Sequence, residues 1–306
     1  MREKPVAIIV IHYNSWADTV EALESIFRLQ YPDFWVLVID NSGKNDGEKI
    51  LSWSRGDFSP WITPTHPLRR LIFPPIKKPC HFELYHAGER ISLSRRILIK
   101  SARNLGFAGA ANLGLRSLWD TPIRYFWILN NDLLVTPDCL SKLVDFVEKE
   151  KLGLAGTALY EFEDPTKVQS LGGRINRIFG SSKDLKRPEE LPEKLDYIVG
   201  ASLFITRETL EKIGFLAEDY FLYYEDTDYS FRARAAGIKI GVCKEAAVYH
   251  KGNKSRKPIK VKSIVHRNRI LFYRRHINRY QNLGLLPSFL AYYGTRFLEK
   301  ILSLGR

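Results

Sequence analysis

Residues 6–14, VAIIVIHYN, decide the fold class of this chain. Residues 6–11 form an unbroken apolar run rich in β-branched side chains, which is typical of a strand covered on both faces of a parallel sheet. Residues 15–29 follow with apolar side chains at helical spacing, and residues 35–39 form a second apolar run that ends in a polar loop. This strand–helix–strand order predicts parallel pairing in an α/β fold.

The same alternation continues along most of the chain. We predict strands at 97–100, 125–129 and 154–160, a helix through residue 118 and a helix from Pro137 to about residue 150. A strand, a short helix ended by Gly214, a helix at about 226–236 and a further strand follow. Residues 51–93 show neither period, which predicts an insertion or long loop, and the turn-rich residues 161–196 are typical of a lip over a site.

The composition is that of a folded, basic protein. The 306 residues are 45% hydrophobic and carry a formal charge of +13, which favours phosphate-bearing partners without naming one. Cys80, Cys139 and Cys243 lie too far apart in sequence to indicate a disulfide framework or a cysteine zinc site, as is typical of the reducing cytosol. The first apolar run lacks a signal-peptide cleavage site, and no stretch reaches the roughly 18 apolar residues of a spanning helix.

Polar side chains follow three of the predicted strands, where each strand ends. In open α/β sheets, ligands gather at this carboxyl edge. Taken singly, Asp40 and Asp132 also fit ordinary turn or helix-cap aspartates, so residue type alone leaves both interpretations open. The residues concerned are Asn14, Asp40, Asn41, Asn130, Asn131 and Asp132.

Two further stretches can carry chemistry. Residues 104–114, NLGFAGAANLG, allow close approach of a backbone or a flat ring, although their spacing is not the dinucleotide pattern and a tightly packed helix is the alternative. Glu225, Asp226 and Asp228 lie at a predicted helix start behind several aromatic residues. They fit either helix capping or a general base whose pKa is tuned by its neighbours. His250 ends a predicted strand, where a lone histidine is usually structural.

Taken together, these stretches resemble a known family. The resemblance lies in VAIIVIHYN, VLVIDNSGKNDG, NLGFAGAANLG, WILNNDLLVTPDCL, GASLFITRETLEKIGFLAEDYFLYYEDTDYSFRARAAG and VYHKGNKS, in this order, and covers residues 5–256. The chain resembles the family 2 inverting glycosyltransferases of the GT-A fold, most of all the rhamnosyltransferase-like branch that builds surface polysaccharides. This implies a Rossmann-like α/β domain at 1–256, with a mostly parallel central sheet flanked by helices and an insertion at about 51–93. A basic helical extension at 257–306 would follow.

The resemblance also implies a site. It assigns Asp226, with Glu225 beside it, as the catalytic base, and Asp132 and His250 as ligands of Mn²⁺ or Mg²⁺; Asn130 stands at the first aspartate of the family's Asp-x-Asp motif. The implied reaction moves a sugar, with inversion, from a nucleotide-diphosphate sugar to a glycan or lipid-linked acceptor. The nucleotide sugar is assigned to Tyr13, Asn14, Asp40, Asn104, Gly106, Phe107, Asn112 and Asn131.

Other interpretations stay open on the residues alone. A nucleotidyltransferase would also use a metal and a nucleotide, but no glycine-rich, lysine-bearing triphosphate loop follows the first strand. A non-catalytic binding protein would use the basic charge, but no nucleic-acid-binding motif accompanies it, so no nucleic acid is expected. We predict a cytoplasmic protein.

The basic tail at 264–306 allows two interpretations. Its amphipathic helical segments fit peripheral binding to the inner face of the cell membrane, or a helical pair that packs on the catalytic domain with a solvated basic face. The arginines concerned are Arg267, Arg269, Arg274, Arg275 and Arg279.

Overall fold

A computed structural model describes residues 4–43, 46–92, 94–177, 181–252 and 258–277, together with 290 and 293–294. The strands are β1 (Val6–His12), β2 (Phe34–Asp40), β3 (Glu83–His86), β4 (Arg96–Lys100), β5 (Tyr125–Asn130), β6 (Leu133–Val135), β7 (Leu154–Glu161), β8 (Val168–Ser170), β9 (Gly173–Ile175), β10 (Ser182–Asp184), β11 (Ser202–Thr206) and β12 (Ile240–His250). The helices are α1 (Trp16–Ile26), α2 (Asp46–Arg55), α3 (Gly106–Ser117), α4 (Cys139–Glu150), α5 (Arg207–Ile213), α6 (Glu225–Ala235) and α7 (Pro258–His276).

One mixed sheet organises the molecule. Its ten strands lie in the order β3-β4-β2-β1-β5-β11-β7-β12-β6, with β8 paired to β7, and β9 and β10 form a separate antiparallel ribbon. β1 pairs in parallel with both β2 and β5, whereas β11 runs antiparallel to β5 and β6 runs antiparallel to β12. The predicted α/β fold, with a mostly parallel sheet flanked by helices, is confirmed.

β1 is buried on both faces, as its unbroken apolar run predicts. Ile8 and Val10 pack into one core with α1, α2 and α4, while Ile9 and Ile11 pack into another with α3, α5 and α6. Burying an aliphatic side chain of this size stabilises the fold by about 1.5–3 kcal/mol. The sheet is therefore held rigidly at its centre, and the polar residues at its carboxyl edge project from a fixed frame.

Residues 51–93, for which the sequence predicts only an insertion or long loop, contain regular structure at both ends. α2 continues to Arg55, and β3 adds a parallel strand beside β4. Between them, Ile62, Leu68 and Ile72 pack with Leu134 of β6. β3 escapes sequence analysis because its four residues are mostly exposed and show no apolar alternation.

A buried carboxylate fastens this segment to α1. Glu24 is fully buried and accepts hydrogen bonds from Trp53 Nε1 at 2.9 Å and from the Ile76 amide at 2.8 Å. Lys78 Nζ lies 3.3 Å from the same carboxylate. A buried charge is tolerated only when it is paired and hydrogen-bonded, and Glu24 meets both conditions.

α7 packs on the domain. Phe272 and Tyr273 are fully buried in a cluster with Tyr220 and Tyr224. Three of the tail arginines are engaged with protein groups: Arg267 donates to the Asp219 carbonyl, Arg269 to the Tyr224 hydroxyl, and Arg275 to the Asp219 carboxylate. Arg279 and most of the predicted tail lie outside the described residues. Within the described part of the chain, every helix is too short or too polar to cross a bilayer.

Candidate active site

The predicted metal ligands Asp132 and His250 lie side by side at the carboxyl edge of the sheet. β6 pairs with the end of β12, and His250 stands opposite Leu133 in that ladder. As a result, His250 Nε2 lies 3.2 Å from Asp132 Oδ1 and 3.3 Å from Asn130 Nδ2. Burial by itself raises the pKa of Asp132, but the hydrogen bond and charge of His250 outweigh it and hold that pKa below its usual value.

Gln169, a residue that the sequence did not single out, orients His250. Its Oε1 lies 2.7 Å from His250 Nδ1, while its Nε2 donates to the His250 carbonyl at 3.3 Å. The second contact fixes which end of the amide is oxygen, so Nδ1 must carry the proton that Gln169 accepts. With Nδ1 protonated, Nε2 of the neutral imidazole carries the lone pair that a cation beside Asp132 would need, whereas the protonated ring donates from Nε2 to Asp132.

The donor set at this edge suits a divalent cation that keeps other ligands. Asp132 and His250 supply one oxygen and one nitrogen, and among the described residues no three His, Cys, Asp or Glu side chains converge on one point. Mg²⁺ and Mn²⁺ commonly take only one or two protein ligands when phosphates and waters complete the shell. The pair therefore fits a metal that arrives with a phosphate-bearing ligand.

Asp40 lies at the same edge, but its carboxylate is bound by the loop after β2. Its carboxylate is 2% exposed and accepts hydrogen bonds from the Ser42 amide at 3.1 Å, the Ser42 hydroxyl at 2.6 Å and the Gly47 amide at 3.1 Å. These contacts satisfy backbone donors near the start of α2. Asp40 thus shapes the loop after β2, and neighbouring groups occupy both of its carboxylate oxygens.

The loop after β2 joins the start of α3 through two asparagines. Asn41 Nδ2 donates to Asn104 Oδ1 at 3.1 Å, and Asn41 Oδ1 accepts from the Leu105 amide at 2.8 Å. Asn104 Oδ1 also accepts from the Gly106 amide at 2.8 Å. Asn41 therefore lies with Asn104 at the edge where the nucleotide sugar is predicted to bind. The sequence signal for Asn41 was its position directly after β2, next to Asp40.

The other predicted donor-binding residues fall into an exposed and a buried group. Tyr13 is 37% exposed at the end of β1, and Asn14 beside it is also exposed. Asn112 is fully buried and bonds to the Leu216 backbone, and Asn131 is buried and donates to the Ser15 carbonyl and Thr19 Oγ1. Tyr13 and Asn14 are thus open to a ligand, whereas Asn112 and Asn131 hold elements together.

Asp226 reaches this edge from α6. Its Oδ2 accepts the Gly200 amide at 2.8 Å, and a side chain at Gly200 would meet both that oxygen and the Phe107 ring. The carbonyl of Ala201, next in sequence, accepts the Asn130 amide at 3.1 Å. Asp226 and Phe107 therefore meet beside the end of β5. Burial raises the pKa of Asp226, although hydrogen bonds from Gly200 and Thr227 oppose the change.

The neighbouring acids have different surroundings. Glu225 is 4% exposed, its Oε2 has no hydrogen-bond partner among the described residues, and burial followed by the charge of Asp226 raises its pKa well above the ordinary value. Asp228 is bound by Arg232 Nε at 2.8 Å and by His276 Nε2 at 2.7 Å. Although burial raises the pKa of Asp228, these two partners lower it overall. Of the three acids, Asp226 alone combines partial exposure with a raised pKa.

The residues at this edge can divide two chemical tasks between them. Asp132 and His250 present one oxygen and one nitrogen that could hold a cation beside the end of β5, and Asp226 offers a carboxylate made more basic by burial. The exposed Tyr13 and Asn14 are open to a ligand, whereas the small residues at the start of α3 are buried and allow close packing, as at Gly106 against the Phe221 carbonyl.

Comparisons with known proteins bear on this edge of the sheet. A family model described as "Glycosyl transferase family 2" matches residues 85–214. The matched segment contains the start of α3 and Asp132, whereas Asp40, Asp226 and His250 lie outside it.

Two curated proteins are similar to part of the chain. The low-salt glycan biosynthesis hexosyltransferase Agl10 of Haloferax volcanii is 27% identical over 155 residues, which is 50% of this chain and 50% of that protein. The dTDP-rhamnosyl transferase RfbF of Shigella flexneri is 22% identical over 159 residues, which is 52% of this chain and 53% of that protein. The chain thus spans about half the length of the curated relatives it matches.

A solved structure extends the similarity to nearly the whole chain. The mannosyltransferase PcManGT from Pyrobaculum calidifontis, in complex with GDP-Man and Mn²⁺, superposes with a TM-score of 0.59 over 96% of this chain and 74% of that chain. The identity is 16%, so this likeness concerns the fold. The GT-A fold that the sequence motifs imply is confirmed.

Proposed function

We propose that the chain, which a family 2 glycosyl transferase model matches over residues 85–214, is an inverting glycosyltransferase. It moves a sugar from a nucleoside-diphosphate sugar to a hydroxyl of a glycan or lipid-linked acceptor. Both curated relatives are named as sugar transferases, and the superposed mannosyltransferase was solved with a nucleoside-diphosphate sugar.

The observation that carries the proposal is the Asp226 carboxylate. A single displacement with inversion needs a base that takes the proton of the acceptor hydroxyl as the oxygen attacks the anomeric carbon. Burial raises the pKa of Asp226, and the Gly200 and Thr227 amides fix its orientation at 2.8 Å and 2.6 Å. Asp226 is therefore a stronger and better oriented base than an exposed aspartate.

The donor is proposed to lie between the end of β1 and the start of α3. Tyr13 and Asn14 are exposed there and contact the nucleotide, while Gly106 and Phe107 border the sugar. Asp40, Asn104, Asn112 and Asn131 support this pocket by holding the loops that line it, through the hydrogen bonds described above.

Asp132 and His250 are proposed to hold Mn²⁺ or Mg²⁺. When bound, the cation neutralises negative charge that develops on the leaving diphosphate. An imidazole ligand favours Mn²⁺ over Mg²⁺, which prefers oxygen ligands. Gln169 keeps the His250 lone pair directed at this position.

Nucleoside-diphosphate release provides the test. The chain is incubated with UDP-, GDP- and dTDP-sugars and a divalent cation, with and without candidate acceptors. We expect one donor class to be turned over, and Asp226→Asn to lower kcat by about 10²–10⁴-fold, the usual contribution of a general base. Asp33→Asn is the matched control, because Asp33 lies before β2 at the opposite edge of the sheet. Pyrophosphate release from a nucleoside triphosphate and a sugar 1-phosphate, with no turnover of the nucleotide sugars, would indicate a nucleotidyltransferase instead, and full activity of Asp226→Asn would remove its assigned role.

The acceptor and the location of the protein are open to a separate measurement. A lipid-linked acceptor would place the enzyme at the inner face of the cell membrane. Arg267, Arg269 and Arg275 of α7 already contact protein groups, which reduces the positive charge that α7 can present to anionic lipids. Co-sedimentation with anionic and neutral vesicles tests the proposal. Equal recovery with both would contradict electrostatic attachment.

A further inference from the structure

The segment that leads into the proposed base has an unfavourable backbone conformation. Phe221, Tyr223 and Tyr224 have φ angles of 63°, 68° and 74°, in the left-handed region that bulky L-residues rarely adopt. Such conformations persist only where surrounding contacts impose them. We call residues 220–224 the base loop, because α6 and Asp226 follow it directly.

One side chain of α7 binds the backbone of the base loop. Asn268 is fully buried, and its Nδ2 lies 2.7 Å from the Tyr220 carbonyl, 2.8 Å from the Leu222 carbonyl and 2.8 Å from the Tyr223 carbonyl. An amide nitrogen carries two hydrogens, so the three acceptors share them. A single residue thus satisfies three carbonyls of a strained turn.

The other side of the base loop contacts the start of α3. The Phe107 amide donates to the Phe221 carbonyl at 2.7 Å. Gly106 has a φ of +73°, and a Cβ there would lie 2.2 Å from the same carbonyl oxygen. The base loop therefore occupies a fixed position between α7 and the residues proposed to border the donor sugar.

We propose that Asn268 is a positioning residue for the transferase site, and that α7 is part of the catalytic unit. This inference rests on the proposed function. Asn268 imposes the conformation of the base loop, which in turn sets where Asp226 starts α6 and where Phe107 starts α3. The contact between His276 Nε2 and Asp228 Oδ1, at 2.7 Å, joins α7 to α6 about two turns beyond Asn268.

Two substitutions test this role. Asn268→Asp keeps the shape but replaces the donor with an acceptor that repels the three carbonyls, and Asn268→Ser keeps one donor. We expect kcat to fall on the order of 100-fold for Asn268→Asp, because a small misplacement of a reacting group can cost about that much. Asn268→Ser should lie between Asn268→Asp and the unaltered chain.

The pH profile separates positioning from a general loss of stability. If the base loop relaxes in Asn268→Ser, which adds no charge, Asp226 gains access to water, and the low-pH limb of the kcat profile moves to lower pH. Partial unfolding lowers the amplitude without moving the limb. Tyr273→Phe is the matched control, since it removes a 2.7 Å hydrogen bond from α7 to the Asn176 carbonyl, away from the base loop. Its limb should stay in place.

The outcomes are distinct. Wild-type kcat and an unmoved limb in both folded Asn268 variants would overturn the inference while leaving the proposed function intact. If the unaltered chain turns over no donor, the proposed function fails, and hydrogen exchange of the Phe107 amide decides whether the base loop is held. The same measurement applies if both variants fail to fold. Exchange as slow as that of the α3 interior supports the inference, and exchange as fast as that of an exposed amide overturns it.

Discussion

In a plot of kcat against pH, Thr227→Val should move the low-pH limb, where activity is lost on acidification, to higher pH. The Thr227 hydroxyl lies 3.1 Å from Asp226 Oδ1 and stabilises the charged carboxylate. Valine has nearly the same shape but no donor. Without the hydrogen bond, the carboxylate holds its proton more tightly, so its pKa rises further above the usual value and the base becomes protonated at a higher pH.

The geometry sets the size of this change. A hydrogen bond to a charged group is worth about 1.5–3 kcal/mol, and about 1.4 kcal/mol corresponds to one pH unit, so the upper bound is about two pH units. The hydroxyl contact is long at 3.1 Å, and the Thr227 and Gly200 amides remain at 2.6 Å and 2.8 Å. We therefore expect a shift of about one pH unit.

The measurement is kcat between pH 5 and pH 9 with donor, acceptor and divalent cation at saturation. Ser230→Ala is the matched control, because the Ser230 hydroxyl donates to the Asp226 main-chain carbonyl at 2.9 Å and does not touch the carboxylate. A limb that stays in place or moves to lower pH in Thr227→Val would refute the assignment of the limb to Asp226. An equal shift in Ser230→Ala would refute the hydrogen-bond explanation.

Two further predictions concern the metal pair and the buried acids. Gln169→Leu should weaken Mn²⁺ binding about 10–100-fold, measured as the concentration that raises the melting temperature, because His250 loses the partner that fixes its tautomer; unchanged affinity would contradict this role. Glu225→Gln should stabilise the protein at pH 8 but not at pH 4.5. The pKa of Glu225 is raised above its ordinary value of 4.5, so its ionisation costs stability only as pH increases beyond that value. Glu24→Gln removes a buried carboxylate that is paired with Lys78, so it should destabilise the protein at pH 8. A gain in stability in both Glu225→Gln and Glu24→Gln would instead indicate a general effect of charge removal.

The parallel part of the sheet could be predicted from the sequence because its strands are unbroken apolar runs. β1, β2 and β5 are buried on both faces, so each appears in the sequence as a short apolar run rich in β-branched or aromatic residues and followed by polar residues. β3 and β6 are short, and their place is set by pairing with distant strands. No local pattern encodes such pairing.

The candidate site could be located from the sequence where it depends on strand ends, and less so where it depends on supporting contacts. Asp132 and His250 come together through the ladder between β6 and β12, and the sequence resemblance had assigned both. Gln169 and Asn268 lay in polar or basic stretches that gave no functional signal. Their roles arise from contacts with residues 81 and 45–48 positions away in the chain.

The three acids at the start of α6 show why residue type could not single out the proposed base. Successive residues of an α-helix are rotated by about 100°, so Glu225, Asp226 and Asp228 project in three directions. Glu225 enters the core, Asp228 meets Arg232 and His276, and Asp226 meets the Gly200 amide beside the end of β5. Capping and catalysis, the two interpretations that the sequence left open, therefore need not compete. One helix start supplies an acid bound to α7, a buried acid and a partly exposed carboxylate, and the contacts of α7 and of the segment before β11 distinguish them.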